Sequence, residues 1–249
     1  MTIAPDKIEL IPVKGFPLIR EGDDLASPIA REGLAPRDIV VIAQKVVSKS
    51  EGRLVILADV TPSQEAYALA ARTEKDPRLV QLVLDESASV LRERPGLLIT
   101  RHRLGYIMAN AGIDASNTGQ KDAVLLLPRD PDRSAQAIAT TLKDKTGHEV
   151  GVIITDSWGR PWRQGTVGFA IGVAGLAPVR DMCGVADLDG RLLVATAIGV
   201  ADELAAAASL LMGQAAEATP AVIIRGFDWP PGEGSAVDLL RPSEEDLFR

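Results

Sequence analysis

The sequence predicts a mixed α/β (α+β) fold, with mixed sheets and packed helices in a single domain over residues 1–249, or in two intimately packed lobes. Three observations predict it. Short β-type runs alternate with helical patterns along the whole chain. Val150 to Thr155, Val-Gly-Val-Ile-Ile-Thr, is the β-branched run of a central strand. Hydrophobic residues make up 46% of the 249 residues but aromatics only 4%, so Ala, Val, Leu and Ile must build the core.

The elements follow in order. Ile8 to Val13 reads as a strand and Asp23 to Glu32 as a short helix. Ile39 to Ala43 is a buried strand and Leu54 to Leu57 another. Thr61-Pro62-Ser63-Gln64 offers a cap, a first-position proline and a capping-box glutamine, predicting a helix to about Thr73. Pro77 opens a helix ending near Glu86. Strands follow at Leu97 to Thr100, Leu104 to Met108 and Ala123 to Leu127. Asp130-Pro131 starts a helix to about Lys145, closed by Gly147. After Val150 to Thr155 come β-type runs at Val167 to Val173 and Leu192 to Ala197. Asp202 to Met212 is a helix apolar on nearly all sides and is expected to be buried. Val222 to Arg225 is the last strand, and the tail from Pro230 is expected on the surface.

Composition excludes several classes. The net charge of −7 argues against a sequence-independent nucleic-acid binder, which needs a basic surface. No apolar run approaches the ~20 residues that span a bilayer. Met1 to Leu10 carries Asp6, Lys7 and Glu9, unlike a signal peptide. The single cysteine rules out an internal disulfide and a cysteine-rich zinc site. A cytoplasmic protein is expected, with no nucleic-acid or membrane partner.

The common nucleotide and hydrolase motifs are absent: no G-x-x-x-x-G-K-[ST], no strand-linked G-x-G-x-x-G, no H-E-x-x-H and no G-x-S-x-G. Three clusters remain. Asp156 follows the β-branched strand and precedes Ser157, Arg160 and Arg163. A strand-end carboxylate beside a hydroxyl offers hard oxygen ligands for Mg²⁺ or Mn²⁺, and guanidinium groups suit phosphate or carboxylate. The same residues also suit a surface turn whose charges pair. Ala109 to Gly119 is small and polar, so backbone can approach a ligand; Asp114 could be a second metal carboxylate and Asn117 could meet a base or ribose. An Asx-type turn accounts for them equally. Lys45 and Lys49 share a face if Gln44 to Gly52 is helical, and a polyphosphate between them would offset their repulsion. A solvated basic face is the plainer alternative. His102 and His148 read as structural or surface residues, and Cys183 as a small buried apolar residue.

Val41 to Lys49 (VIAQKVVSK), Ala109 to Asn117 (ANAGIDASN), Ile154 to Arg163 (ITDSWGRPWR), Val200 to Gln214 and Ala221 to Gly226 (AVIIRG) occur in one order. In that order they resemble the coenzyme F-420-0:L-glutamate ligase family over about residues 8 to 226, including the ligase half of the bifunctional actinobacterial proteins. The nitroreductase-like domain of the latter is not expected here. The resemblance implies a family-specific ligase fold, neither Rossmann nor ATP-grasp. It implies GTP-dependent addition of L-glutamate to coenzyme F-420-0, a deazaflavin, through an acyl phosphate, in a homodimer. It implies two divalent ions, Mg²⁺ or Mn²⁺, with K⁺ a further candidate. Asp114 and Asp156 match one metal site, and Ser157 and Gln214 the second. Ser157 stands where the family usually has threonine and keeps the hydroxyl. Gly15, Phe16, Pro17, Leu18, Gln44, Lys45, Lys49, Asn117, Met212 and Gly213 fall where the nucleotide is held, and Leu210 to Glu217 flanks its phosphates. Arg160 and Arg163 join Asp114 and Asp156 as catalytic candidates. The alternatives are an amide ligase of the same fold with another acceptor, and a non-catalytic nucleotide- or deazaflavin-binding protein.

Overall fold

The computed structural model describes residues 7–229 and 232–247. Its centre is a five-stranded sheet in the order β1 (Glu9–Pro12), β12 (Ala221–Arg225), β2 (Ile39–Ala43), β8 (Gly151–Arg160), β9 (Arg163–Ala174). Only β2 and β8 run parallel; every other neighbouring pair is antiparallel. A doubly wound parallel sheet is therefore excluded, as expected, and the fold is mixed α/β.

Both faces of this sheet are covered, which is why β2 and β8 read as unbroken apolar runs. Val40, Ile42, Val152 and Ile154 face one cluster with α1 (Ala26–Ala30) and α5 (Pro131–Thr146), through Ile29, Ala135 and Leu142. Ile39, Val41 and Ile153 face the opposite way, onto Ala201, Leu204, Ala205 and Ala208 of α6 (Val200–Met212). Close approach needs glycine: a Cβ on Gly172 would lie 2.5 Å from the Pro131 carbonyl carbon, and one on Gly168 2.6 Å from Ala205 O.

A second layer lies to one side. It holds α2 (Gln44–Ser50), the pair β3 (Leu54–Ile56) and β7 (Ala123–Leu125), α3 (Gln64–Thr73), α4 (Pro77–Asp85), and the sheet β4 (Ser87–Arg94), β5 (Leu97–His102), β6 (Ile107–Ala109). Glu86 ties its parts together, pairing with Arg53 at 2.9 Å and Arg103 at 3.2 Å. His102 is fully buried beside it and accepts from Leu104 N at 3.0 Å, so it is structural as expected.

The helix punctuation holds at Asp130, Gly147 and Asp76-Pro77. Elsewhere the structure corrects the reading. Ser63, not Thr61, caps α3, accepting from Ala66 N, and Pro62 precedes the helix. The helix expected over Asp23 to Glu32 is confined to Ala26–Ala30, with Leu25 at its N-cap position and Asp24, just before it, accepting from Ala26 N and Ser27 N. Leu104-Gly105 is a turn, with Gly105 at φ +94°, so that strand begins only at Ile107. β4 is a strand whose charged, outward residues hid its alternation. The run Leu192 to Ala197 is not a continuous strand: Asp187 organises a turn with Asp189 and Arg191, Leu192 makes a single bridge to Ala186, and only Ala197–Ile198 (β11) forms a strand, paired with Arg180–Asp181 (β10). Helix α6 is not buried all round, since Leu210 is 80% exposed. Residues 1–6, within the expected non-signal N-terminus, and 230–231 of the tail lie outside the described residues. The rest of the tail is not wholly superficial, because Ala236 is buried and Ser235 bonds Asp132 at 2.6 Å.

Candidate functional site

Pairing between β2 and β8 stops at Ala43 and Thr155. Beyond that point β2 turns directly into α2, while β8 continues for five more residues in a hairpin with β9. Asp156 is thus not at a strand end, as expected from sequence, but at the end of the parallel register. A cavity of about 560 Å³ opens there. Its floor is Ala43, Thr155, Asp156 and Ser157. One wall is Gln44, Lys45 and Lys49 of α2, another is Phe16 to Ile19, and the third runs from Met212 to Pro220 after α6.

Asp114 approaches from the second layer, held by reciprocal backbone bonds with Leu125 of 3.0 and 2.8 Å. Ahead of it, Asn110, Ala111 and Gly112 all take positive φ, at 50°, 53° and 69°. Left-handed backbone costs energy at Asn110 and Ala111, and strain of this kind marks segments whose geometry is functionally constrained. Lys45 Nζ meets Asp114 Oδ2 at 2.7 Å and donates to Ser116 Oγ at 2.6 Å. Lys49 Nζ donates to Asn117 O at 2.7 Å, and Asn117 Nδ2 to Ala215 O at 3.2 Å. Ser157 Oγ donates to Gln214 Oε1 at 2.9 Å, bringing those two oxygens side by side.

The electrostatics of the cavity are set by two partly buried carboxyls on one side and two lysines on the other. Burial, reinforced by the charge of Asp114, pushes the Asp156 carboxyl up to about 7. Gln44 helps hold its charge, yet the Gln44 amide nitrogen is buried without a hydrogen bond of normal geometry. Burial also raises Asp114, but bonds from Lys45 and Ser116 outweigh it and leave that carboxyl below its ordinary value. Lys49 is lowered by burial and by the charge of Lys45, and no described carboxylate pairs with it. In the third wall Ala215 N donates to Glu217 Oε2 at 2.8 Å, and the amides of Ala215, Glu217 and Gln214 keep that carboxyl low. Successive backbone amides that hold a carboxylate can hold other oxyanions.

Most of the residues proposed from sequence therefore converge. Phe16, Pro17, Leu18, Gln44, Lys45, Lys49, Asn117, Asp156, Ser157, Met212, Gly213 and Gln214 line the cavity, and Asp114 joins it through Lys45. Gly15 sits just before the Phe16 segment, at φ +64°. Arg160 and Arg163 are not brought to the cavity. They lie at the hairpin tip, where Arg160 donates to Gly165 O at 3.4 Å and Arg163 is exposed. Ser116, which joins Lys45 and Asp114 in the structure, is not marked out in the sequence beyond lying two residues after Asp114. Cys183 is exposed, not buried, and donates towards Asp181, whose carboxylate raises the thiol.

Fold and cavity together define a mixed α/β protein with a cleft lined by two lysines and by carboxylate, hydroxyl and amide side chains. The chain belongs to the F420-0:Gamma-glutamyl ligase family, whose sequence model matches residues 15–226. It is similar to proteins named Coenzyme F420:L-glutamate ligase. The one from Methanothermobacter thermautotrophicus is 50% identical, across 97% of this chain and 99% of the relative. That from Archaeoglobus fulgidus is 46% identical across 98% and 97%, and that from Methanocaldococcus jannaschii 43% across 98% and 97%. The resemblance read from the ordered motifs is borne out.

Proposed function

We propose that this protein joins L-glutamate to coenzyme F420-0 in coenzyme F420 biosynthesis, using GTP. The observation that carries the reading is the convergence of Lys45, Lys49, Asp114, Asp156, Ser157 and Gln214 on one cavity in a member of this family. The acceptor carboxylate attacks the γ-phosphorus of GTP, giving an acyl phosphate and GDP. The glutamate amine attacks the acyl carbon, loses a proton and expels phosphate. No side-chain nucleophile is needed.

The protein's groups suit these steps. Lys49, without a carboxylate partner, and the amides of the Gly213 to Glu217 loop attract phosphate oxygens. Phe16 to Leu18 and Asn117 flank the remainder of the nucleotide. The all-oxygen donor set fits Mg²⁺ or Mn²⁺: Asp114 and Asp156 for one ion, Ser157 and Gln214 for another. Such ions, when bound, offset the charge that develops on the phosphates. Asp156, whose charge is costly as it stands, is the carboxylate with most to gain from a cation.

The protein acts as a homodimer in the cytoplasm. No described helix is long and apolar enough to cross a membrane. Support for the dimer comes from the arm between β10 and β11, where Leu188, Leu192 and Val194 are 105%, 57% and 85% exposed. A second copy would remove these side chains from water.

Incubation with GTP, Mn²⁺, L-glutamate and coenzyme F420-0, read by mass, tests the proposal. A gain of one glutamyl unit with GDP release is expected. No gain refutes the acceptor, and no GDP reduces the protein to a binding module.

A further inference from the structure

A second cavity, of about 420 Å³, lies beside β9, the edge strand of the main sheet. That volume falls within the range of small-molecule sites. The chain has only nine aromatic residues (three Trp, two Tyr, four Phe), and three of them, Tyr106, Trp158 and Phe169, line this one cavity. Trp158 and Phe169 are stacked, with centroids 4.5 Å apart and planes inclined by 21°. Tyr106 lies 6.1 Å from Trp158, its hydroxyl fixed by Ile171 O at 2.7 Å.

Arg101, Asp202, Arg241, Ser243 and Asp246 share the lining, and the first two flank the aromatic wall from β5 and α6. Arg101 contributes a buried Nε that has no hydrogen-bond partner among the described residues. Leaving a buried charged donor unmade is costly, so the site favours an acceptor from outside the chain. Asp202 accepts from Ala170 N at 2.9 Å through Oδ1, which leaves its second oxygen for another donor. An aromatic wall with guanidinium donors and carboxylate acceptors beside it matches a flat ring bearing a pyrimidinedione edge, which presents carbonyls on either side of an N–H.

The cavity is coupled to the first through strand register. Asp156 is directly opposite Phe169 in the antiparallel hairpin, and Trp158 follows two residues on. Opposed residues project from the same face, as do residues two apart, so Asp156, Phe169 and Trp158 rise together. A ring against the aromatic pair would therefore have its substituent beside the first cavity.

We propose that the second cavity seats a planar heteroaromatic ring with a pyrimidinedione edge, Trp158 and Phe169 forming its wall and Arg101 and Asp202 reading its edge. Resting on the ligase reading above, that ring belongs to the acceptor, whose carboxylate then reaches Asp156.

Calorimetric titration of the full chain with two probes, coenzyme F420-0 and flavin mononucleotide, tests this, since both carry that edge. Wild type is expected to bind both. Phe169→Leu, which keeps bulk but removes the ring, and Arg101→Gln should each weaken binding about tenfold, with melting temperatures close to wild type. Should Phe169→Leu misfold, Arg101→Gln carries the test, because the Arg101 Nε has no hydrogen bond to a described residue to lose. Variants that bind coenzyme F420-0 as tightly as wild type overturn the site and leave the ligase reading intact. Flavin mononucleotide binding with the stated losses, but no coenzyme F420-0 binding, supports the ring site and sinks the acceptor assignment. Wild type that binds neither probe overturns the proposal.

Discussion

Asp156→Asn should stabilise the metal-free protein in alkaline solution while abolishing ligation. The Asp156 carboxyl stands at about 7 against an ordinary 3.8, chiefly because it is buried and secondarily because Asp114 is near. A carboxyl that holds its proton more tightly folded than unfolded favours the fold while protonated. That advantage disappears as pH rises from 3.8 to about 7, and above it the folded state carries a costly charge. Holding the carboxyl at about 7 in place of 3.8 sets a ceiling of about 4 kcal/mol. Asp156 is part-exposed to the cavity, so solvent screening discounts this to about 2 kcal/mol. In a chain this size that is a rise of about 4–8 °C in melting temperature. Thermal denaturation in chelator at about pH 5 and about pH 8.5 measures it. At the lower pH both proteins carry a neutral group and melt within a few degrees of each other; at the higher pH the variant melts later. Added Mn²⁺ then raises the wild-type melting temperature and leaves the variant where it was. A wild type equally stable at both pH values, or a variant less stable at the higher one, would refute the argument that Asp156 is an uncompensated charge.

Four further outcomes are expected. Lys49→Ala should raise KM for GTP about ten- to a hundredfold, read by GDP release, because it removes the cavity cation with no carboxylate partner. Arg225→Met should cost about 3–5 kcal/mol in urea denaturation, since it strands Asp38, 1% exposed and held at 3.0 and 2.7 Å. Gly168→Ala should destabilise by about 1–3 kcal/mol through contact with Ala205 O, whereas Gly159→Ala, with nothing within 4 Å, should change stability by less than about 0.5 kcal/mol. Leu188→Asp with Val194→Asp should convert a dimer to monomer by light scattering, given their exposure of 105% and 85%.

The central sheet was legible because β2 and β8 are buried on both faces and so carry continuous β-branched runs. β4 was not, because a strand with one solvated face and charges such as Arg92 and Glu93 resembles a loop in composition. The stretch Leu192 to Ala197 misled for the opposite reason: apolar residues that strand burial would explain are instead exposed on an arm. Cys183 misled in the same way, since a lone thiol is more often buried, yet it sits on that arm. At the site, residue types were legible and distances were not. Lys45 and Lys49 could be placed on one helical face by spacing, but their partners, Ser116 and the Asn117 carbonyl, lie about seventy positions away along the chain.

Those distant pairings follow from one topological fact. Parallel pairing ends at Ala43 opposite Thr155, so the two chains leave that level by different routes. One winds at once into α2 and raises Lys45 and Lys49; the other stays extended and raises Asp156 and Ser157. Because β2 stops, the edge of β8 beyond Thr155 is open, and the segments after Asn110 and after α6 close in on it, bringing Asp114 and Gln214. Cationic and carboxylate groups therefore meet at a place where an inner strand of the sheet has an unpaired edge. Replacing the β8 extension with a tight turn after Thr155 would leave the core sheet intact and remove Asp156, Ser157, Trp158 and the wall they share with β9. The last residue of β8 paired with β2 and the first buried carboxyl of the cavity are one position apart.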